Sequence, residues 1–278
     1  MTKLKEQRAI LIVGATGTIG SCLTQQILTN TDYLTSILVR DQDRAHAMFG
    51  DAIESGPRSR WRFIDLFSSS PDSSKSVDYL AIQQLCDAAK NSSTLQRIVM
   101  IEPPAVGRPF RIATMFGNLT QNYMYYWKAN GECLIKGSGL DYTVIRPHNV
   151  QCTMTSMHRS VSDISFHQGR APLLRLRGYP LIPIASLTDV IVETIERLDQ
   201  TRRCTFEISG DPSQAKTWDD LFQKLEPDHE TKPKSIVTKH RIAIGLGITC
   251  SLMAFAGLSM AALKYTGYDE SIQQFLNK

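Results

Sequence analysis

Three glycines at three-residue spacing, Gly14, Gly17 and Gly20, stand between an apolar run and a segment of helical periodicity in LIVGATGTIGSCLTQQIL. Each has a task there. A tight turn after a buried strand needs Gly14, backbone approached by a pyrophosphate needs Gly17, and a helix packed close on its strand needs Gly20. The loop and first helical turn, with Thr16, Thr18 and Ile19, offer backbone N–H groups that have no partner inside the helix, and these attract phosphate oxygens. The stretch is expected to cradle a dinucleotide. The second apolar run ends in LVRDQDRA, where an acidic residue would take a ribose 2′-hydroxyl. Arg40 occupies that place, with Arg44 close behind. A forked guanidinium suits a 2′-phosphate, so NADP is expected in preference to NAD. The alternative for Arg40 is a solvated surface charge.

These residues need elements to hold them. Short β-branched runs at 8–13, 34–40, 60–66, 96–102, 140–147 and 204–210 read as strands. Helical spacing of apolar residues marks 18–29, 78–89, 117–136 and 187–198. The alternation predicts an α/β chain with a Rossmann-type doubly wound parallel sheet, covered on both faces. A chain of 278 residues, 42% of them hydrophobic, can bury one sizeable core and carry an appendage. The net charge of +4 is spread out, with no basic stripe among aromatics, so no nucleic-acid partner is expected. Six scattered cysteines without a C-x-x-C pair predict reduced thiols and no metal site. MTKLKEQR runs straight into the first strand, which leaves no room there for a leader.

VGATGTIG, ILVRDQDRA and above all YWKANGECLIKGSGLDYTVIRP resemble the atypical short-chain dehydrogenase/reductases, in their NmrA-like NAD(P)-binding branch. The resemblance covers about 8–210, and IASLTDVIVETIE with TFEISG matches the family's late helix and strand. It implies an NAD(P)-binding Rossmann domain over 1–210, with a small substrate-side lobe at about 148–186. It also implies that Asp65, after the third strand, faces the adenine, and that Lys128 reaches the nicotinamide ribose. The activity implied is NADP-dependent oxidation or reduction of a small or lipophilic substrate.

Two departures qualify that picture. Family members with a Tyr-x-x-x-Lys motif use the lysine to lower the tyrosine pKa for proton exchange. Four residues before Lys128 stands Met124; Tyr125, three before it and on a similar helical face, is the one candidate proton donor. The serine expected after QRIVMIE is replaced by Glu102-Pro103-Pro104. After FIDL, only 67–76 precedes the next helix, too short for a further helix and strand, so one helix–strand unit is expected to be missing. His148, after VIRP, is a candidate substrate contact. These departures support an alternative reading: a non-catalytic accessory or assembly subunit of a membrane complex, or an NADP redox sensor.

Beyond Asp211 a polar helix and linker are expected over 211–241. Residues 242–263, IAIGLGITCSLMAFAGLSMAAL, then run without a charge or proline, and a tail occupies 264–278. As a helix, 242–263 would measure about 33 Å against a hydrocarbon core of about 30 Å, so it is expected to span a membrane. Lys232, Lys234, Lys239 and Arg241 precede it, which places the large domain on the cytosolic, stromal or matrix side. Ala243, Gly247 and Ser251, four apart, would let subunits of a membrane complex pack closely on it.

Overall fold

Among the described residues the strands form two larger sheets, mainly parallel, and one two-stranded pair. The computed structural model describes residues 8–30, 33–54, 59–63, 74–151, 164–168, 180–210, 217–229 and 234–265. The first sheet is built from β1 (Ala9–Val13), β2 (Leu34–Val39) and β3 (Ser59–Phe63), with α1 (Thr18–Asn30) and α2 (Gln42–Glu54) as crossovers. Its order is β1-β2-β3, with Ile12 beside Ile37 and Ile37 beside Trp61. A π-helical turn (Ser76–Leu80) then leads into α3 (Ala81–Lys90) and β4 (Ile98–Ile101). A 3-10 turn at Pro104–Gly107 is followed by α4 (Ile112–Thr120), α5 (Met124–Gly137) and β5 (Tyr142–Pro147). Next come β6 (Val150–Gln151), β7 (Ile164–His167), β8 (Ile182–Pro183), α6 (Ile184–Glu196) and β9 (Cys204–Gly210). Finally α7 (Trp218–Phe222) and α8 (Lys234–Tyr265) complete the chain. The second sheet has the order β4-β5-β9-β7, parallel except for β7, and β6 pairs with β8.

Among the described residues, β1 pairs only with β2, and β4 only with β5. The helix–strand unit that the sequence leads one to expect absent would lie between them; residues 64–73, which follow β3, lie outside the described residues. A parallel crossover with its helix takes a dozen residues or more, and only ten separate Phe63 from Ser74. The consequence shows in the burial of β1. Ile12 belongs to the core beside α1, with Ile10 packed against it, whereas Leu11 and Val13 on the opposite face are 51% and 48% exposed. A parallel sheet is normally covered on both faces; on this face of β1 Leu11 and Val13 remain about half exposed.

Side chains join the two sheets instead. Leu23 of α1 and Ile195 of α6 pack against both cores: Ile12, Ile27 and Ile37 on one side, Ile145, Leu187 and Phe206 on the other. Fully burying such a side chain contributes roughly 1.5–3 kcal/mol. Polar ties run the same way: Gln26 Nε2 donates to Asp189 Oδ1 at 2.5 Å, and Arg8 pairs with Glu196 at 3.1 Å.

The structure corrects one expectation. The single helix expected over 117–136 is two, α4 and α5, because Asn122 and Tyr123 adopt left-handed φ angles of 48° and 58°. Asn118 holds that break: its carbonyl accepts the Tyr123 N–H at 2.9 Å and its Oδ1 accepts the Tyr126 N–H at 3.0 Å. Asparagine offers backbone groups a partner outside the helix ladder, which is why it favours such junctions.

Residues 242–263 belong to α8, but among the described residues no helix is long and apolar enough to cross a membrane. The first turns of α8 are charged and docked on protein: His240 and Ala243 are buried, and Gly247 faces Met115 and Leu119 of α4. Farther along, Leu252, Met253, Phe255 and Leu258 are exposed.

Candidate functional site

The glycine loop has the geometry that its sequence predicts. Gly14 sits at φ +79°, a region that L side chains avoid. The Gly17 N–H donates to the Gly14 carbonyl at 3.0 Å and closes the turn. A Cβ on Gly20 would lie 2.1 Å from the Gly14 oxygen, so only glycine lets α1 pack this close to β1. A Cβ on Gly17 would sit 3.3 Å from the same oxygen. Gly14, Gly17 and Thr18 are exposed at the start of α1, with Thr16 and Ile19 half-buried beside them. An open glycine turn leading into a thirteen-residue helix fits a pyrophosphate. Arg40 is exposed at the end of β2, and Asp41 Oδ1 accepts the Arg44 N–H at 2.9 Å, fixing the turn into α2. Asp65 lies outside the described residues.

Lys128 has carboxylate company that the sequence did not announce. Its Nζ is 2.7 Å from Asp78 Oδ1 and 3.8 Å from Glu102 Oε2. Asp78 reaches it from the π-helical turn. That turn packs so tightly on α5 that a Cβ on Gly131 would lie 2.2 Å from the Asp78 carbonyl oxygen. Glu102 follows the last residue of β4, only 3% exposed, and its Oε2 receives no hydrogen bond. Burial pushes the Glu102 carboxyl up to about 8, against the pull of Lys128. Burial alone would lower the Lys128 ammonium, but the charges of Glu102 and Asp78 raise it above its ordinary value. Glu102 stands where the resemblance implied a serine; Asp78 had no local signal, since nothing in VDYL marks a partner fifty residues away.

Tyr125 is turned elsewhere. Its ring lies over Gly117 of α4, where a Cβ would come within 2.5 Å of Cε2. The structure therefore gives Lys128 to two carboxylates and Tyr125 to a helix contact. His148 is buried, with Nε2 2.8 Å from Glu207 Oε2, and Arg108 Nη2 holds the same oxygen at 2.5 Å. Below it, Arg146 Nη2 reaches both oxygens of buried Glu132 at 2.8 and 2.6 Å, and Lys136 joins at 2.9 Å. Burial acts to raise Glu132, yet Arg146 and Lys136 overcome it and hold the carboxyl below its ordinary value. These pairs fasten α5 to β5 and β9. A paired ion cluster of this kind is structural chemistry, with Glu102 Oε2 and Arg146 Nε its buried atoms that lack a hydrogen bond.

No family model matches the sequence, and no curated protein matches it. Solved structures do match the fold. An oxidoreductase from Lactococcus lactis is 16% identical, with a TM-score of 0.57, covering 80% of this chain and 100% of its own. A short-chain dehydrogenase/reductase from Veillonella parvula, solved in complex with NADP, is 16% identical with a TM-score of 0.56, covering 75% of this chain and 97% of its own. At such identities the likeness is one of fold. The glycine turn, the parallel order β1-β2-β3 and these neighbours together show that the chain has a Rossmann-type α/β fold.

Proposed function

We propose that this chain binds NADP(H), with the pyrophosphate on the Gly14–Gly20 turn and Arg40 beside the 2′-phosphate. The observation that carries the reading is the glycine geometry: a turn at φ +79° and a helix approach that no Cβ permits. A guanidinium at the end of β2 favours the doubly charged 2′-phosphate over a free hydroxyl. The test is a titration of the full chain with NADPH and NADH. Micromolar NADPH binding, lost in Gly17→Asp and weakened in Arg40→Ala, is the expected result; no binding of either at millimolar concentration overturns the reading.

Two uses of the bound dinucleotide follow from different observations. The engagement of Lys128 with Asp78, and of Tyr125 with Gly117, favours a redox sensor or accessory subunit, because the tyrosine–lysine proton relay is not assembled. An NADP-dependent oxidoreductase acting on a small or lipophilic substrate is favoured by Glu102, a carboxyl able to hold a proton near neutral pH at the end of β4. NADPH would supply the hydride in that chemistry, and Glu102 the proton. Aerobic assays of NADPH oxidation with small quinones and ketones separate the two: turnover abolished in E102Q supports the enzyme, and none in the parent supports the sensor.

The exposed Leu252, Met253, Phe255 and Leu258 of α8 support attachment of this helix to an apolar partner, such as a subunit of a membrane complex. Full-length chain that stays monodisperse without detergent, as a chain ending at Ser235 would, excludes that attachment.

A further inference from the structure

A cavity of about 320 Å³ opens between the start of α5 and α8, lined by Tyr123, Tyr126, Trp127, Arg241 and Ile244. It is separate from the glycine turn and needs α8 for one of its walls. Its lining is three aromatic rings, an aliphatic side chain and one cation; among the described residues lining it, none is acidic. The rings are arranged, not merely adjacent. Trp127 meets Tyr126 edge-on at 4.9 Å between centroids, and Tyr79 supports Trp127 at 5.8 Å. The Arg241 guanidinium stands 5.8 Å from the Tyr126 centroid and donates to its hydroxyl from Nε at 3.2 Å and Nη2 at 3.1 Å. A second cation, Lys75, lies 5.4 Å from the Trp127 centroid.

Two further features single this place out. Tyr123, a bulky residue, is held in the left-handed region after Asn122, which is also left-handed. Such strain costs on the order of 1–3 kcal/mol per residue and concentrates at functional sites. The two walls are also locked together. Asn118 Nδ2 meets His240 Nδ1 at 3.3 Å, and His240 Nε2 donates to the Val106 carbonyl at 2.9 Å, both within the buried interior. The opening is a shallow, exposed cleft whose two walls are joined by the Arg241–Tyr126 contact.

We propose that this cavity binds a planar, apolar molecule bearing an acidic group. Flat aromatic walls reward a flat apolar body. Arg241, aimed across the same opening and already oriented by Tyr126, meets a carboxylate, sulfonate or phosphate with its fork. A neutral ligand forfeits that contact, and a cationic one opposes both Arg241 and Lys75. The assignment does not depend on dinucleotide binding, since no lining residue belongs to the glycine turn.

Calorimetric titration of the full chain with 2-naphthoate and with naphthalene-2-methanol tests it. The acid binds one per chain, at least tenfold more tightly than the alcohol. Arg241→Gln brings the acid down to the affinity of the alcohol, and Ile244→Trp, which fills the cavity, abolishes both. Unchanged urea midpoints and NADPH titrations of these variants show that the fold and the glycine turn are intact. Equal affinity for acid and alcohol, or naphthoate binding that survives both substitutions unchanged, overturns the assignment, as does no binding to the parent at millimolar concentration.

Discussion

Lys128 Nζ and Asp78 Oδ1, on α5 and on the π-helical turn before α3, meet at 2.7 Å and fasten two elements that enter the second sheet from different directions. Removing the cation leaves Asp78 a largely buried carboxylate without compensation, beside the protonated Glu102 carboxyl. Breaking a buried pair in this way typically costs about 3 kcal/mol or more. Lys128→Met is therefore expected to lower the urea midpoint by that equivalent. Because Lys128 is committed to carboxylates, the same variant should bind NADPH within about threefold of the parent. A large loss of NADPH affinity without a loss of stability would show that the lysine leaves Asp78 for the ribose.

Glu102 makes stability depend on pH in an unusual direction. Its folded carboxyl is raised to about 8, above an unfolded value of about 4.3, so the folded chain holds a proton that the unfolded chain releases. This contribution is fully present below about pH 4 and is lost as the pH climbs towards 8, by at most about 1.4 kcal/mol per pH unit. Glu102→Gln cannot ionise and should flatten the decline between pH 5 and 8. Urea midpoints at half-unit steps read this directly; parallel curves for parent and variant would contradict it.

His240 acts with the opposite sense. Burial lowers its pKa, despite the bond to the Val106 carbonyl and the charge of Glu132, which act to raise it. Its Nε2 must donate to that carbonyl, so a neutral ring leaves Nδ1 to accept from Asn118. A proton on Nδ1 would set donor against donor. Because the folded ring prefers to be neutral, stability is complete above about pH 6.5 and falls as the pH drops below it. Docking of α8 should weaken first. Hydrogen exchange of α8 amides at pH 7.5 and pH 5.5 is expected to show faster exchange at the lower pH, with no such difference in His240→Gln.

At Tyr123 the usual ranking of alanine over glycine should invert. Tyr123→Ala removes the ring and keeps the left-handed backbone, whereas Tyr123→Gly removes both ring and strain. The glycine variant should be the more stable by about 1 kcal/mol, the cost of the left-handed region for a residue with a Cβ. Thermal midpoints of the two variants decide it, and alanine the more stable would mean that the turn has moved.

The parts of this molecule legible in its sequence are those fixed by neighbours along the chain. The glycine turn could be read because spacing and backbone freedom are local properties, and the shortfall after Leu66 because a crossover has a minimum length. The environment of Lys128 could not, for Asp78 and Glu102 reach it through tertiary packing that leaves no trace in spacing. The break at Asn122 and Tyr123 was hidden for a similar reason: an apolar period runs through it, and what stops the helix is the side chain of Asn118. Residues 242–263 read as a spanning helix from hydropathy alone, whereas the buried contacts of His240, Ala243 and Gly247 tie the start of that stretch to α4 and α5.

The seam between β1 and β4 makes the molecule a jointed object. With no main-chain hydrogen bond described across it, the halves are coupled through side chains of α1 and α6, and such couplings yield at lower free energy than a continuous sheet. The glycine turn rides on one half; Glu102 and Lys128 ride on the other. If the proposed dinucleotide rests on both, it would act as a splint across the joint, and its arrival would be felt by the whole chain as stiffness.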